Sequence, residues 1–259
     1  MIRFFFRLLL LCVVCLAALG WWFRDDVLRT WEKIGKPLLV IGRKSPTPDP
    51  VRYGVLKEEA ERWRLDLGKR YRAAEGKAAQ DTVISEAQGF LEAALPDLML
   101  CWLGTPWDFN GTSEIPGEGK VACGYFVATV LRDAGFRVNR YKLAREPSEN
   151  ILRTFLPRSE LERRVGAPYQ DYADSLRQYQ SGVRIVGLDT HVGFIVSGPE
   201  GFRFIHSSGS SPWSVVDESE GDAEVLKRSN YRVHGSLTDN REVIRRWLEG
   251  EKIEVRTSS

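Results

Sequence analysis

Cys123 and two of the chain's three histidines, His191 and His206, are the residues whose types and order could do covalent chemistry. A thiolate is a strong nucleophile, a histidine can take its proton, and a second polar group can orient that histidine. In "ACGYFVATVLRDAGF", residues 122–136, Cys123 falls in the first turn of an amphipathic helix. Phe126, Val127, Val130, Leu131 and Ala134 recur at helical spacing, and Gly135 supplies the stop. Unpaired N–H groups and the positive end of the helix dipole predict a lowered thiol pKa. Three plainer readings stand beside this one. The cysteine packs as a small hydrophobe, the histidines are structural, or the three ligate zinc, although none of the three belongs to a CxxC or HxxxH pair of the kind that marks a metal site.

The histidines belong to "THVGFIVSGPEGFRFIHSS", residues 190–208. His191, Gly193 and Ile195 alternate with Val192, Phe194 and Val196 in one strand, while Phe202, Phe204 and His206 share a face of the next. Directly opposed residues of an antiparallel pair have a constant index sum and lie on one face. His191 and His206 therefore share a face only if the sum is odd, which needs an even-length loop. A four-residue turn, Ser197–Glu200, is the expectation; a regular five-residue loop would separate the rings. Asp189 is a second candidate to orient His191, although its place at the strand entrance suits a turn residue. His234 has no motif around it and reads as structural.

"LGTPWDFNGTSEIPGEGKVACGYFVATVLRDAGF" (103–136) resembles the entry segment of the NlpC-type cell-wall cysteine peptidases, a bacterial branch of the papain-like fold. "HVGFIVSGPEGFRFIHSS" resembles that family's His-Val-Gly strand, turn and following strand. The likeness spans 99–210. It implies Cys123 as nucleophile, His191 as base, His206 as the orienting third residue and Trp107 at the oxyanion or substrate cleft, where the family has Tyr. The family usually has Asp before the cysteine and Ser after it; here they are Ala122 and Gly124. The fold implied is α+β and papain-like of the NlpC type, a Cys-headed helix packed on an antiparallel sheet, with extra N-terminal helices. The activity implied is hydrolysis of peptidoglycan stem-peptide amide bonds through a Cys-His-His triad, with no cofactor and no metal. The alternatives are a catalytically lapsed binding module and a thiol hydrolase acting on a non-wall amide or ester.

The remaining chain must position these residues. With 259 residues and 43% apolar composition it can bury a good-sized core. The 37 basic and 35 acidic residues nearly cancel, which gives no general case for nucleic acid as a partner. No Walker loop, GxGxxG or HExxH is present. At the N-terminus, Arg3 and Arg7 precede a charge-free run from Leu8 to Phe23. As a helix that run reaches roughly 24 Å, a little short of a ~30 Å hydrocarbon core, with Trp21 and Trp22 at the far interface. Residues 1–23 are therefore expected to be a membrane signal anchor or, if cut after Ala18-Leu19-Gly20, a signal peptide. Either exports the rest to the periplasm or the cell exterior. Residues 24–80 read as a charged linker and helix (55–75) broken by the Pro-rich "KSPTPDP". A papain-like hydrolase domain is expected over 81–235, and a C-terminal helix and tail over 236–259. Within 81–235 a helix is expected over 81–95, capped by Asp81 and broken at Pro96, and an Arg-rich insert carries helices around 148–156 and 170–179. Cys101 and Cys123 are expected to stay reduced.

Overall fold

Two 24-residue helices open the described part of the chain, residues 46–257 of a computed structural model. The expected anchor or signal peptide, 1–23, lies outside the described residues. Among those described, no helix is long and apolar enough to cross a membrane. Helix α1, Pro50–Ala73, starts where Asp49 accepts the Arg52 N–H and Pro50 needs no partner. Helix α2, Lys77–Leu100, corrects two expectations. Gly76, not Asp81, stands at its N-cap; Asp81 lies a turn inside and binds Lys77 and Arg241. Pro96 does not break it. The missing N–H costs one intrahelical bond, but Leu91, Leu95, Leu98 and Met99 are fully buried, and their packing holds the helix through the proline.

The sheet has six strands, each paired antiparallel with its neighbours, in the order β2-β7-β3-β4-β5-β6. These are β2 (Glu162–Val165), β3 (Gly182–Leu188), β4 (Val192–Gly198), β5 (Gly201–Ser207), β6 (Val215–Ser219) and β7 (Tyr231–Ser236). A separate parallel pair joins β1 (Arg137–Val138) to β8 (Lys252–Ile253). The other helices are α3 (Cys123–Asp133), α4 (Arg140–Leu143), α5 (Ser148–Phe155), α6 (Tyr169–Arg177), α7 (Glu224–Arg228) and α8 (Arg241–Glu249). The architecture is α+β, and both helices expected in the insert are present as α5 and α6. The described residues, 46–257, fall in a single compact unit that runs across the boundaries expected at 80 and 235. Apolar faces on α1 and α8 require it: Leu67 and Leu248 are fully buried, and the Trp247 indole donates to the Ala134 carbonyl at 2.8 Å.

The period-two pattern of the strands divides the core. Ile185, Phe194, Ile205 and Val233 face a large cluster that contains α2 and α3. Val186, Leu188, Ile195, Phe202 and Phe204 face a smaller one built on Tyr172, Ala173 and Leu176 of α6 and Leu226 of α7. Helix α3 is fixed at both ends. At its C-terminus Gly135 adopts φ 100°, and the N–H groups of Gly135 and Phe136 return to the carbonyls of Arg132 and Leu131, a Schellman closure. Through its middle runs a series of edge-on aromatic contacts, Tyr53–Trp102 (5.5 Å), Trp102–Phe126 (6.1 Å) and Phe126–Phe194 (6.0 Å), linking α1 to the sheet. Phe126, one turn after Cys123, is the ring that joins helix to sheet. Phe126→Ala is expected to cost about 3–5 kcal/mol, read as a lowered midpoint of denaturant unfolding; a loss under 1 kcal/mol would show that this contact does not set the helix.

Candidate active site

Cys123 is the first residue of α3. The preceding Ala122 has no side chain able to cap the helix, and the first intrahelical bond is Phe126 N–H to the Ala122 carbonyl. Backbone N–H groups near the helix start are thus free to serve a ligand. The N–H groups of Val192, at the start of β4, and of Gly124 and Cys123 itself act on the Cys123 sulfur in favour of its charged form.

Two interactions lock that junction. The buried Ser207 hydroxyl, next to His206 in the chain, donates to the Val121 carbonyl at 2.7 Å. Gly124 allows the close approach of the α4 end: a Cβ there would stand 2.3 Å from the Ala144 carbonyl oxygen. A serine at position 124 would need that backbone to move.

The hairpin satisfies the parity argument with a shorter loop than expected. The pairs run from Phe194↔Ile205 to Gly198↔Gly201, so the loop is Pro199-Glu200 and the index sum is odd. The expected four-residue turn is corrected to two residues. A shift of two keeps every side chain on its face, so His191 and His206 still share one, offset diagonally instead of opposed. His191 Nε2 lies 2.7 Å from His206 Nδ1, with the rings nearly perpendicular at 89°. Gly193 makes room for this, since a Cβ there would come within 2.8 Å of His206 Cβ. Phe204 stacks on His206 at 4.0 Å between centroids. Burial and the neighbouring ring push the His191 pKa well below its ordinary value, and burial takes His206 down to about 3. Both rings are neutral at pH 7.

Cys123 does not behave as expected. Burial outweighs the three N–H groups and raises its pKa, so Cys123 rests as a neutral thiol, as His191 rests as a neutral imidazole. Neither Cys123 nor Cys101 forms a disulfide.

Cys123 and His191 open onto a cleft of about 890 Å³ that Trp107, Phe109, Gly209, Arg145 and Arg228 also line. Trp107 is tied in by its backbone N–H, which donates to the Trp213 carbonyl (2.8 Å), and its ring lies against Gly209, where a Cβ would be 3.0 Å from the indole. Arg140 braces the loop after Trp107. It is fully buried and donates to the Thr112 carbonyl (2.9 Å), the Ser113 carbonyl (2.7 Å) and the Thr129 hydroxyl of α3 (2.6 Å).

Asp189 lines the cleft but does not orient His191. Its carboxylate accepts from the Ser229 hydroxyl (2.7 Å) and from the N–H groups of Asn230 (2.8 Å) and Tyr231 (3.0 Å), pinning the β3–β4 turn to the start of β7. His234 is buried away from the cysteine, with Nδ1 3.2 Å from the Tyr172 hydroxyl. Among the described residues no group of three or more His, Cys, Asp or Glu side chains is set to hold a metal. One site residue escapes the sequence reading: Glu218 of β6, whose Oε2 lies 3.0 Å from His206 Nε2. Its signal is strand alternation, because Val216 pairs with His206 and Glu218 with Phe204, a carboxylate on a buried face.

No protein-family model, no curated protein and no solved structure matches the chain.

The raised thiol pKa has a direct consequence. Titration of the Cys123 thiolate in the ligand-free protein, followed by its ultraviolet absorbance against Cys123→Ser, is expected to show a midpoint above the ordinary thiol value of about 8.5. A midpoint below about 7 would mean a resting thiolate–imidazolium pair.

Proposed function

We propose that the chain is an extracytoplasmic thiol hydrolase of the papain-like, NlpC type that cleaves amide bonds in peptidoglycan stem peptides, held at the membrane by residues 1–23. One observation carries the reading: a cysteine at a helix start that shares one cleft with a histidine bonded at 2.7 Å to a second, fully buried one. The open cleft supports a peptide substrate. Its two arginines make no bond to a carboxylate among the described residues, Arg145 donating to the Tyr125 hydroxyl and Arg228 to the Glu224 carbonyl. They suit a substrate with free carboxylates.

His191 Nε2 is engaged by His206, which leaves Nδ1 to act on the thiol. His191 takes the Cys123 proton as sulfur attacks the amide carbonyl. The oxyanion that forms is held by N–H groups at the helix start, with Trp107 at the cleft wall as a further donor. The imidazolium then gives its proton to the leaving amine. Water, deprotonated by His191, releases the acyl group and returns the thiol. Because thiol and imidazole are both neutral at rest, the transfer accompanies attack instead of preceding it.

The raised thiol pKa also favours a second reading, a lapsed module that binds wall peptides without cleaving them. Incubation of the full-length protein with muropeptides separates the two. Wild type is expected to release cleaved peptides and Cys123→Ala none; binding without cleavage by either would leave the module, and cleavage that survives Cys123→Ala would remove the thiol from the chemistry. Among the histidines, His206→Ala is expected to lower kcat by roughly ten- to a thousandfold and His191→Ala by more. His206→Gln recovers part of the rate, since its amide oxygen can accept from His191. His206→Ala with wild-type activity would exclude it as the orienting residue.

A further inference from the structure

His206 uses both ring nitrogens inside the protein, Nδ1 toward His191 Nε2 at 2.7 Å and Nε2 toward Glu218 Oε2 at 3.0 Å. The ring is fully buried, and the Glu218 side chain is only 19% exposed. His191, His206 and Glu218 thus form a line from the cleft, which Cys123 also lines, to the sheet edge. Each neutral imidazole owns a single N–H, so the direction of every bond in the line is set by its last member.

An ionised Glu218 can only accept. His206 then donates from Nε2 and accepts at Nδ1, His191 donates from Nε2, and His191 Nδ1 is left as a bare lone pair. That is the tautomer a base for the thiol must have. A proton on Glu218 Oε2 reverses the line. Glu218 donates to His206 Nε2, His206 donates from Nδ1 to His191 Nε2, and His191 carries its hydrogen on Nδ1, where it cannot take another from sulfur. Each ring keeps one proton throughout; the only proton gained, from solvent, is on Glu218.

We propose that Glu218 is a positioning residue that sets the tautomers of His206 and His191, so that its carboxylate form enables His191 as a base and its acid form disables it. The proposal rests on the thiol-hydrolase reading for its consequence, though not for the tautomers themselves. The charges around Glu218 keep this equilibrium near neutrality. Asp217 adjoins it on β6, Asp222 and Glu224 face it from the turn and α7, and Lys227 of α7 opposes them. On β5, Arg203 is taken by Asp217 at 2.8 Å, and Arg177 of α6 by Glu220. Burial, helped by the acids, pushes Glu218 up to about 7. The two rings, far less basic, stay neutral while it titrates.

The test is nitrogen NMR of full-length, histidine-labelled protein between about pH 5.5 and about pH 9, beside the pH profile of muropeptide cleavage. With three histidines in the chain, the ring signals are few. In wild type, His191 and His206 are expected as Nε2–H tautomers at high pH and Nδ1–H at low pH, with cleavage falling roughly tenfold per pH unit below the Glu218 midpoint. In Glu218→Gln both rings keep one tautomer across the range, and any remaining activity lacks that acid limb. A wild-type His206 that never changes tautomer, or a Glu218→Gln protein that keeps the wild-type pH response, would overturn the proposal. Should Glu218→Gln not fold, Glu218→Asp must shift the midpoint of the tautomer change; an unmoved midpoint overturns it equally. A tautomer change that follows Glu218 in a protein that cleaves nothing upholds the relay and removes the hydrolase. Cleavage through Cys123 with tautomers indifferent to Glu218 does the reverse.

Discussion

The hydrogen bond between His191 and His206 depends on a single constraint, the register of the β4–β5 hairpin. One residue more or less in the loop would turn one ring to the opposite face of the sheet. Nothing in the rings themselves would restore the contact, because each is fixed by its own strand. The buried hydroxyl of Ser207 carries the same register to the cysteine by bonding Val121 two residues before it. Sheet pairing thus determines where His191 stands, and one hydrogen bond between distant parts of the sequence ties the Cys123 helix to that frame.

Around the frame, small residues serve close approach. Gly124 admits the Ala144 carbonyl, Gly193 admits His206, and Gly209 admits the Trp107 ring. At each a Cβ would meet an atom at 3.0 Å or less. Bulk enters from the other side, where the Tyr53–Trp102–Phe126–Phe194 series holds α3 against the sheet and Phe204 stacks on His206. Burial has an electrostatic result: it disfavours charge on the thiol and on both rings, so the site rests neutral and its hydrogen-bond directions become a matter of tautomers.

Features with a strong local cause were legible in the sequence. The spacing of Phe126, Val127, Val130 and Leu131 with Gly135 gave α3 and its end, and strand alternation gave the shared face of the histidines. What stayed hidden depended on distant parts of the chain. The proline in α2 is overridden by a core that the local sequence does not reveal, and α1 was legible only from residue 55 because Pro50, its first residue, reads locally as part of a Pro-rich break. The thiol pKa went the wrong way because a helix start is visible in sequence and its burial is not. Glu218 was missed because β6 itself was not recognised, and a glutamate in "VVDESEGDAE" reads as one solvated acid among several.

Hydrolysis by the proposed route passes through a thioester on the Cys123 sulfur, and that intermediate can be trapped. Wild-type protein turning over a muropeptide is quenched in acid, digested and weighed. An added mass equal to the acyl fragment is expected on the peptide containing Cys123 and not in Cys123→Ala. Cleavage without any adduct, or an adduct on another residue, would contradict that route.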